Sequence, residues 1–480
     1  MSDEKKPRSR RRQPRRVVVA RNTPNKVNNY VVPIIFVPGV MGSRLMWQTG
    51  QPPEVHTWDP DDTASMRQWA YPFSTDWQRN VMQCAAPDDF SQDTVMRQNE
   101  NYQLTDDEVR RGWGGVSFKY HGEFLRDGYS PRYNPVYAFG YDWRNSNYNS
   151  ARRLAVRVGE LLARHRAQRC IIVTHSMGGL VTRAALRLVA GLESKVLCVI
   201  HLFQPVLGTP VAYRRFFTGV TATYDGGASA AGFGVIVGNT GEKSTKIISA
   251  LEGPLQLMPA ENYQNVCDFP WLRYTVGDQI GQWNQSIYDT YLSEGQPPGI
   301  VAGNVTGVMS DMRKDLVSRL RHAQAFHNAL QPNGTLFRHP LTFSLYGRGM
   351  KTDVMVEYEK LKGWAGWRAR NTPTITNGRY VVGNDGFALR LTDWQRPKDG
   401  GDATVAEHSA RALFPDHHFF APPASWKEVG MDGRGGDRIR QYVFNEVEHA
   451  VATNNANVRQ AVINIMYRIL YGHGLLPPPS

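Results

Sequence analysis

The sequence predicts an α/β fold built on a mostly parallel central sheet with helices on both faces, and three observations predict it. Short, continuous apolar runs such as Val31 to Val37 have the pattern of buried parallel strands. These runs alternate with amphipathic helical segments. One of the strands, Cys170 to Val173, leads through a tight Ser-containing turn straight into a helix.

The elements follow in chain order. Val31 to Val37 runs into Pro38-Gly39-Val40-Met41-Gly42, a tight loop. Residues 48 to 120 are polar and rich in Trp and Asp, and read as an irregular insertion. Pro135 to Phe139 is strand-like. Ala151 to Arg166 then places Leu154, Val158, Leu161 and Leu162 on one helical face, with arginines opposite. Arg169 to Val173 reads as strand, Gly179 to Ala190 as helix and Lys195 to Phe203 as strand. Residues 211 to 249 are rich in Gly, Ala and Ser, with exposed-looking Phe216, Phe217 and Phe233. That composition suits a mobile cap and candidate lid. Leu341 to Tyr346 returns to strand, and a long excursion precedes Gly401. Val458, Val462, Ile465, Met466, Ile469 and Leu470 keep helical spacing near the end.

Composition sets bounds on function. Of the 480 residues 41% are hydrophobic and 21% charged, an ordinary globular balance. No stretch approaches the roughly 18 apolar residues of a membrane span, and the N-terminus lacks the apolar core of a secretory signal. The reading is a chain made soluble in the cytoplasm, with any export by a signal-independent route. Residues 1 to 21 carry nine Lys or Arg against Asp3 and Glu4, so over half of the net charge of +13 lies in a tail without hydrophobic pattern. The expectation is a disordered basic tail over residues 1–30, followed by a single domain over 31–480. Such a tail suits anionic lipid head groups better than nucleic acid. The cysteines (Cys84, Cys170, Cys198 and Cys267) are scattered without metal-ligand spacing, and the strand pair Cys170 and Cys198 reads as reduced core thiols.

The chemistry centres on Thr174-His175-Ser176-Met177-Gly178-Gly179, a nucleophile elbow of the G-x-S-x-G kind with Thr in place of the first glycine. The motif alone is weak; its setting between a buried strand and a helix makes it strong. A sharp strand-to-helix turn lifts the Ser hydroxyl above the sheet, and small residues two places away let the chain bend. Thr174 makes that turn tighter than glycine would. The setting predicts an α/β-hydrolase with Ser176 as nucleophile. The Met177 N–H and the Val40 N–H, from the loop after the first strand, are the candidate oxyanion donors. A base and an orienting carboxylate follow in chain order. Asp402, in Gly401-Asp402-Ala403-Thr404-Val405, is the candidate acid, with Asp393 and Asp399 as rivals. His449, just before the C-terminal helix, is the candidate base over His408, His417, His418 and His473. No metal or organic cofactor is expected.

With these motifs in view the sequence resembles the lecithin:cholesterol acyltransferase-like lipases. Eight segments carry the resemblance in order: Pro33 to Leu45, Tyr141-Asp142-Trp143-Arg144, the elbow, Gly208-Thr209-Pro210, Leu257-Met258-Pro259, Tyr346-Gly347-Arg348-Gly349 with Thr352, Gly401 to Val405, and His449. The resemblance implies an α/β-hydrolase fold and acyl-ester chemistry on lipids, usually glycerophospholipids. It puts Ser176, Asp402 and His449 on the triad, Val40 and Met177 on the oxyanion donors, and a lid after Pro210. It also pairs Arg144 with a buried carboxylate. Thr174 and Ala403 stand where the family usually has glycine.

The expected function is therefore a lipid-directed serine acyl hydrolase of the phospholipase A type, acting at membrane surfaces. A delivered antibacterial effector with a secretion-machine or immunity partner is one form of it. An O-acyltransferase is the alternative within enzymes, and a non-catalytic lipid- or nucleic-acid-binding protein the alternative outside them.

Overall fold

The computed structural model describes residues 30–49, 54–69, 74–83, 94–127, 132–220, 225, 234–260, 263, 271–276, 279–283, 310–360, 375–376, 379–382, 387–390, 400–415, 420–425, 427, 429 and 440–476. The basic tail, Cys84, Cys267, Phe233, Asp393, Asp399, His417 and His418 lie outside them.

Six strands form the central sheet: β1 (Ile34–Val37), β2 (Val136–Ala138), β3 (Cys170–His175), β4 (Val196–Leu202), β5 (Thr342–Arg348) and β6 (Gln441–Asn445). Their order is β6-β5-β4-β3-β1-β2, and every neighbouring pair is parallel. Strand side chains alternate between two cores, as the period of two requires. Ile35, Val37 and Ile172 face one core with Leu154, Val158, Leu161, Leu180 and Val181. Ile34, Phe36, Ile171 and Val173 face the other, with Phe124, Val458, Val462, Ile465 and Ile469.

The helix Asn147–His165 begins at Ser146, whose side chain accepts from the Tyr148 N–H, and ends at Arg166 in left-handed conformation. The helix Gly178–Leu188 covers the same face. On the opposite face lie Phe118–Arg126 and the C-terminal helix Ala456–Gly472. Cys170 and Cys198 are buried free thiols within β3 and β4.

Two expectations need correction, and one segment gains structure. The stretch 48–120 is not wholly irregular: Leu45–Gln48 and Val55–Trp58 pair as an antiparallel hairpin, and short helices follow. Trp47 and Trp69 stack within it, 5.6 Å between ring centroids, so its tryptophans build local core rather than decorate a loop. The stretch 211–249 is more than a cap. Phe216 is fully buried, not exposed, and Val220, Val237 and Ile247 belong to the first core. Its apolar residues are spread among small ones, and this dilution hid the helices Pro210–Thr218 and Gly241–Ile248. The excursion before Gly401 contains strands of a second six-stranded sheet, ordered Ile375–Thr376, Arg379–Val382, Phe387–Arg390, Val356–Lys360, Leu272–Val276, Gln279–Trp283.

Among the described residues no helix is long and apolar enough to cross a membrane.

Candidate active site

The carboxyl ends of the parallel strands deliver all the candidate groups to one place, as open α/β sheets do. Ser176 follows β3 directly and stands at φ 52°, in the left-handed region where a β-carbon is strained. Two glycines permit the turn. A β-carbon on Gly178 would stand 2.4 Å from the Val37 carbonyl oxygen and 2.5 Å from that of Pro38. Gly39 presses on the nucleophile itself, since its β-carbon would lie 2.7 Å from Ser176 Cβ. Thr174, where glycine is usual, is fully buried and its hydroxyl pairs with His201 Nδ1 at 2.8 Å. The extra side chain is therefore absorbed into the core beside β4.

His449 lies in the loop after β6. Its Nε2 is 2.8 Å from Ser176 Oγ, and its Nδ1 is 2.9 Å from Asp402 Oδ2. An Nδ1–H donated to the Asp402 carboxylate leaves Nε2 to accept the Ser176 proton. The second oxygen of Asp402 accepts from the N–H groups of Thr404 (3.0 Å) and Val405 (2.6 Å), and the Asp402 carbonyl accepts from the His449 N–H at 3.0 Å. Ala403 stands at φ 74°, a conformation that explains the usual glycine, and its N–H donates to Thr352 Oγ1 at 2.8 Å. Among the rivals, His408 sits on the short helix Glu407–Ala410 and His473 at the exposed end of the C-terminal helix.

Val40 and Met177 flank Ser176 from the two loops, and among the described residues neither N–H is spent on a backbone hydrogen bond. Tyr141 braces the first loop by donating its hydroxyl to the Pro38 carbonyl at 3.0 Å. Arg144 pairs with the largely buried Asp142 at 2.6 Å and stacks over Trp47, 3.7 Å from the ring centroid, so its work is structural.

Two histidines that the sequence reading passed over complete the surroundings. The ring of His175 lies 5.0 Å from that of His449, and its Nε2–H donates to the His449 carbonyl at 2.9 Å. Thr453 donates its hydroxyl to the Tyr120 carbonyl, so it accepts from His121 Nδ1–H at 2.9 Å. Burial pushes His121 down to about 3 and, helped by the charges of His449 and His121, holds His175 well below the usual histidine range. Both rings are neutral near pH 7. His175 occupies a variable place in the elbow motif, and His121 carries no sequence signal at all.

A cavity of about 530 Å³ opens over Ser176 and His449. Its walls are mostly apolar, including Val40, Met41, Trp58, Ile236 and Leu257, while Lys119 and Arg215 supply positive charge. Arg215 and its neighbour Arg214 both pair with Asp225, and Arg214 also reaches Asp353 at 2.6 Å. That buried network ties the 211–249 region to the loop after β5.

Comparison with known proteins agrees with the fold. The family model for lecithin:cholesterol acyltransferase matches residues 121–228, a stretch that includes Tyr141 to Arg144 and the elbow but ends before Asp402. A chain in "The crystal structure of Tle4-Tli4 complex" is 19% identical, with a TM-score of 0.60 over 92% of this chain and 98% of that one. "Crystal structure of Aspergillus fumigatus lipase B" is 14% identical over 38% of this chain and 26% of that one, and its TM-score of 0.19 is too low to bear on the fold. No curated protein matches.

Sheet and helices together define the class: the fold is of the α/β-hydrolase type, and residues 121–228 resemble the lecithin:cholesterol acyltransferases.

Proposed function

We propose that the protein is a phospholipase A-type hydrolase that works through an acyl-enzyme on Ser176. The observation that carries this reading is the unbroken chain of Asp402, His449 and Ser176, linked at 2.9 and 2.8 Å beneath an apolar cavity.

His449 takes the Ser176 proton as the oxygen attacks the ester carbonyl. The Val40 and Met177 N–H groups hold the resulting oxyanion, and each such donor is worth ~10²- to 10³-fold in rate. The tetrahedral adduct collapses, His449 protonates the departing alcohol, and the acyl group stays on Ser176. Water, deprotonated by His449, then attacks the acyl-enzyme and releases the fatty acid. Asp402 fixes the His449 tautomer and stabilises its cationic form throughout. The residues Val211, Ala212, Arg215 and Ile236 line the cavity, so the segment that bears them forms part of the wall past which a lipid must enter.

The test is fatty-acid release from mixed phosphatidylglycerol and phosphatidylethanolamine liposomes. Wild type should release fatty acid and Ser176→Ala should not; equal release by both would overturn the reading. If an added alcohol captures the acyl group in preference to water, the O-acyltransferase form of the same chemistry holds instead.

A narrower form of this reading is an antibacterial effector neutralised by a dedicated protein partner; the chain of similar fold was crystallised in a two-protein complex. Periplasmic expression in a susceptible bacterium should then be toxic for wild type and harmless for Ser176→Ala. Equal growth would remove the effector role and leave the hydrolase reading intact.

A further inference from the structure

A second groove, of about 890 Å³, lies along edge strand β2 and shares no lining residue with the cavity at Ser176. Five arginines line it: Arg97, Arg110, Arg152, Arg153 and Arg157. Its acidic residue is Glu160, bonded to Arg157 at 3.1 Å. The helix Asn147–His165 supplies three of the lining arginines, Arg152, Arg153 and Arg157, of which Arg153 and Arg157 are neighbours one turn apart. Between them stands Val156, 63% exposed, an apolar residue on a face otherwise charged. Val95, Met96 and Phe139 continue the apolar lining.

The groove thus pairs a concentration of fixed positive charge with apolar walls. Guanidinium groups stay charged at any working pH and match phosphate oxygens two at a time. A nucleic-acid strand would call for exposed aromatic platforms, but Phe139 is buried. An amphiphile with a phosphate head and an acyl tail uses both parts of the lining. We propose that this groove binds a phospholipid molecule at a site separate from Ser176. Its phosphate is held by Arg152, Arg153 and Arg157, and its acyl chain lies on Val95, Met96 and Val156. This site stands whether or not Ser176 is the nucleophile.

The experiment is calorimetric titration of full-length Ser176→Ala protein with three probes. These are short-chain phosphatidylglycerol below its micelle-forming concentration, phosphatidylcholine of equal chain length, and inorganic phosphate. Phosphatidylglycerol should bind more tightly than the other two, and more weakly at high salt. Adding Arg153→Glu and Arg157→Glu should weaken one phosphatidylglycerol site by at least about tenfold. In the Ser176 background the same pair should leave hydrolysis of a small soluble ester unchanged. Unaltered affinity in the charge-reversed protein would overturn the site, and inorganic phosphate binding as tightly as the lipid would overturn its lipid character. Should charge reversal unfold the chain, a diazirine-bearing phosphatidylglycerol gives the second reading on unmodified protein. Adducts on residues 95–97 and 152–157 support the groove, and adducts confined to the cavity at Ser176 contradict it.

Discussion

Ser176 holds φ 52° because strand β3 enters it, the helix Gly178–Leu188 leaves it, and Gly39 and Gly178 clear the space around it. That crowding separates effects on activity from effects on stability. Gly39→Ala would drive a β-carbon against Ser176, so kcat should fall well before the thermal midpoint does, which parallel kinetics and melting curves would reveal. Asp402→Asn keeps the shape of the acid but loses the carboxylate that fixes the Nδ1–H tautomer of His449. Its kcat should fall by about 10⁴-fold, with KM nearly unchanged. At this scale local motif and chain order together picked out Ser176, Asp402 and His449, which the structure brings within hydrogen-bonding distance of one another. The sequence was silent on His121, because the contact with Thr453 joins residues far apart in the chain.

Elements were legible in proportion to the purity of their pattern. Strands β1, β3 and β4 are mostly apolar runs, and β3 and β4 were readable within two residues and β1 within three, as was the C-terminal helix with its Val458 to Leu470 stripe. Ile465→Ala in that stripe should cost about 2–5 kcal/mol, measured by denaturant unfolding, because the side chain is fully buried. The hairpin Leu45–Gln48 and Val55–Trp58 was missed because its turn carries Gly and Pro among polar residues that also suit a loop. The 211–249 region misled for another reason. Besides its buried apolar residues, Arg214, Asp225 and Asp353 hold it to the molecule, and ion pairs leave no periodic trace. Arg214→Ala would remove the buried pairs to Asp353 and Asp225, leaving Asp225 to Arg215, at a cost of about 3–5 kcal/mol. A native Tm in that variant would show the network to be dispensable.

For the whole molecule, the buried histidines make stability depend on pH in a definite direction. Burial lowers His121 and His201 to about 3 and His327 to about 4, all from an ordinary value of 6.5. Below 6.5 the unfolded chain takes up protons that the folded chain refuses, so stability declines as pH falls through that window. Each such ring contributes a slope of up to about 1.4 kcal/mol per pH unit. Urea midpoints should therefore drop steadily from neutral pH toward pH 4, and His327→Gln should flatten the profile. A midpoint independent of pH in that interval would contradict neutral, buried rings.

The role proposed for Ser176 is that of a nucleophile activated by His449 and Asp402. It is tested most directly by intact-mass and peptide mapping after brief exposure to an alkyl fluorophosphonate, which reacts only with an activated serine. A single adduct is expected, on Ser176, absent from His449→Ala and slow to form in Asp402→Asn. An adduct on another residue, or labelling of Ser176 at the same rate in all three proteins, would contradict it.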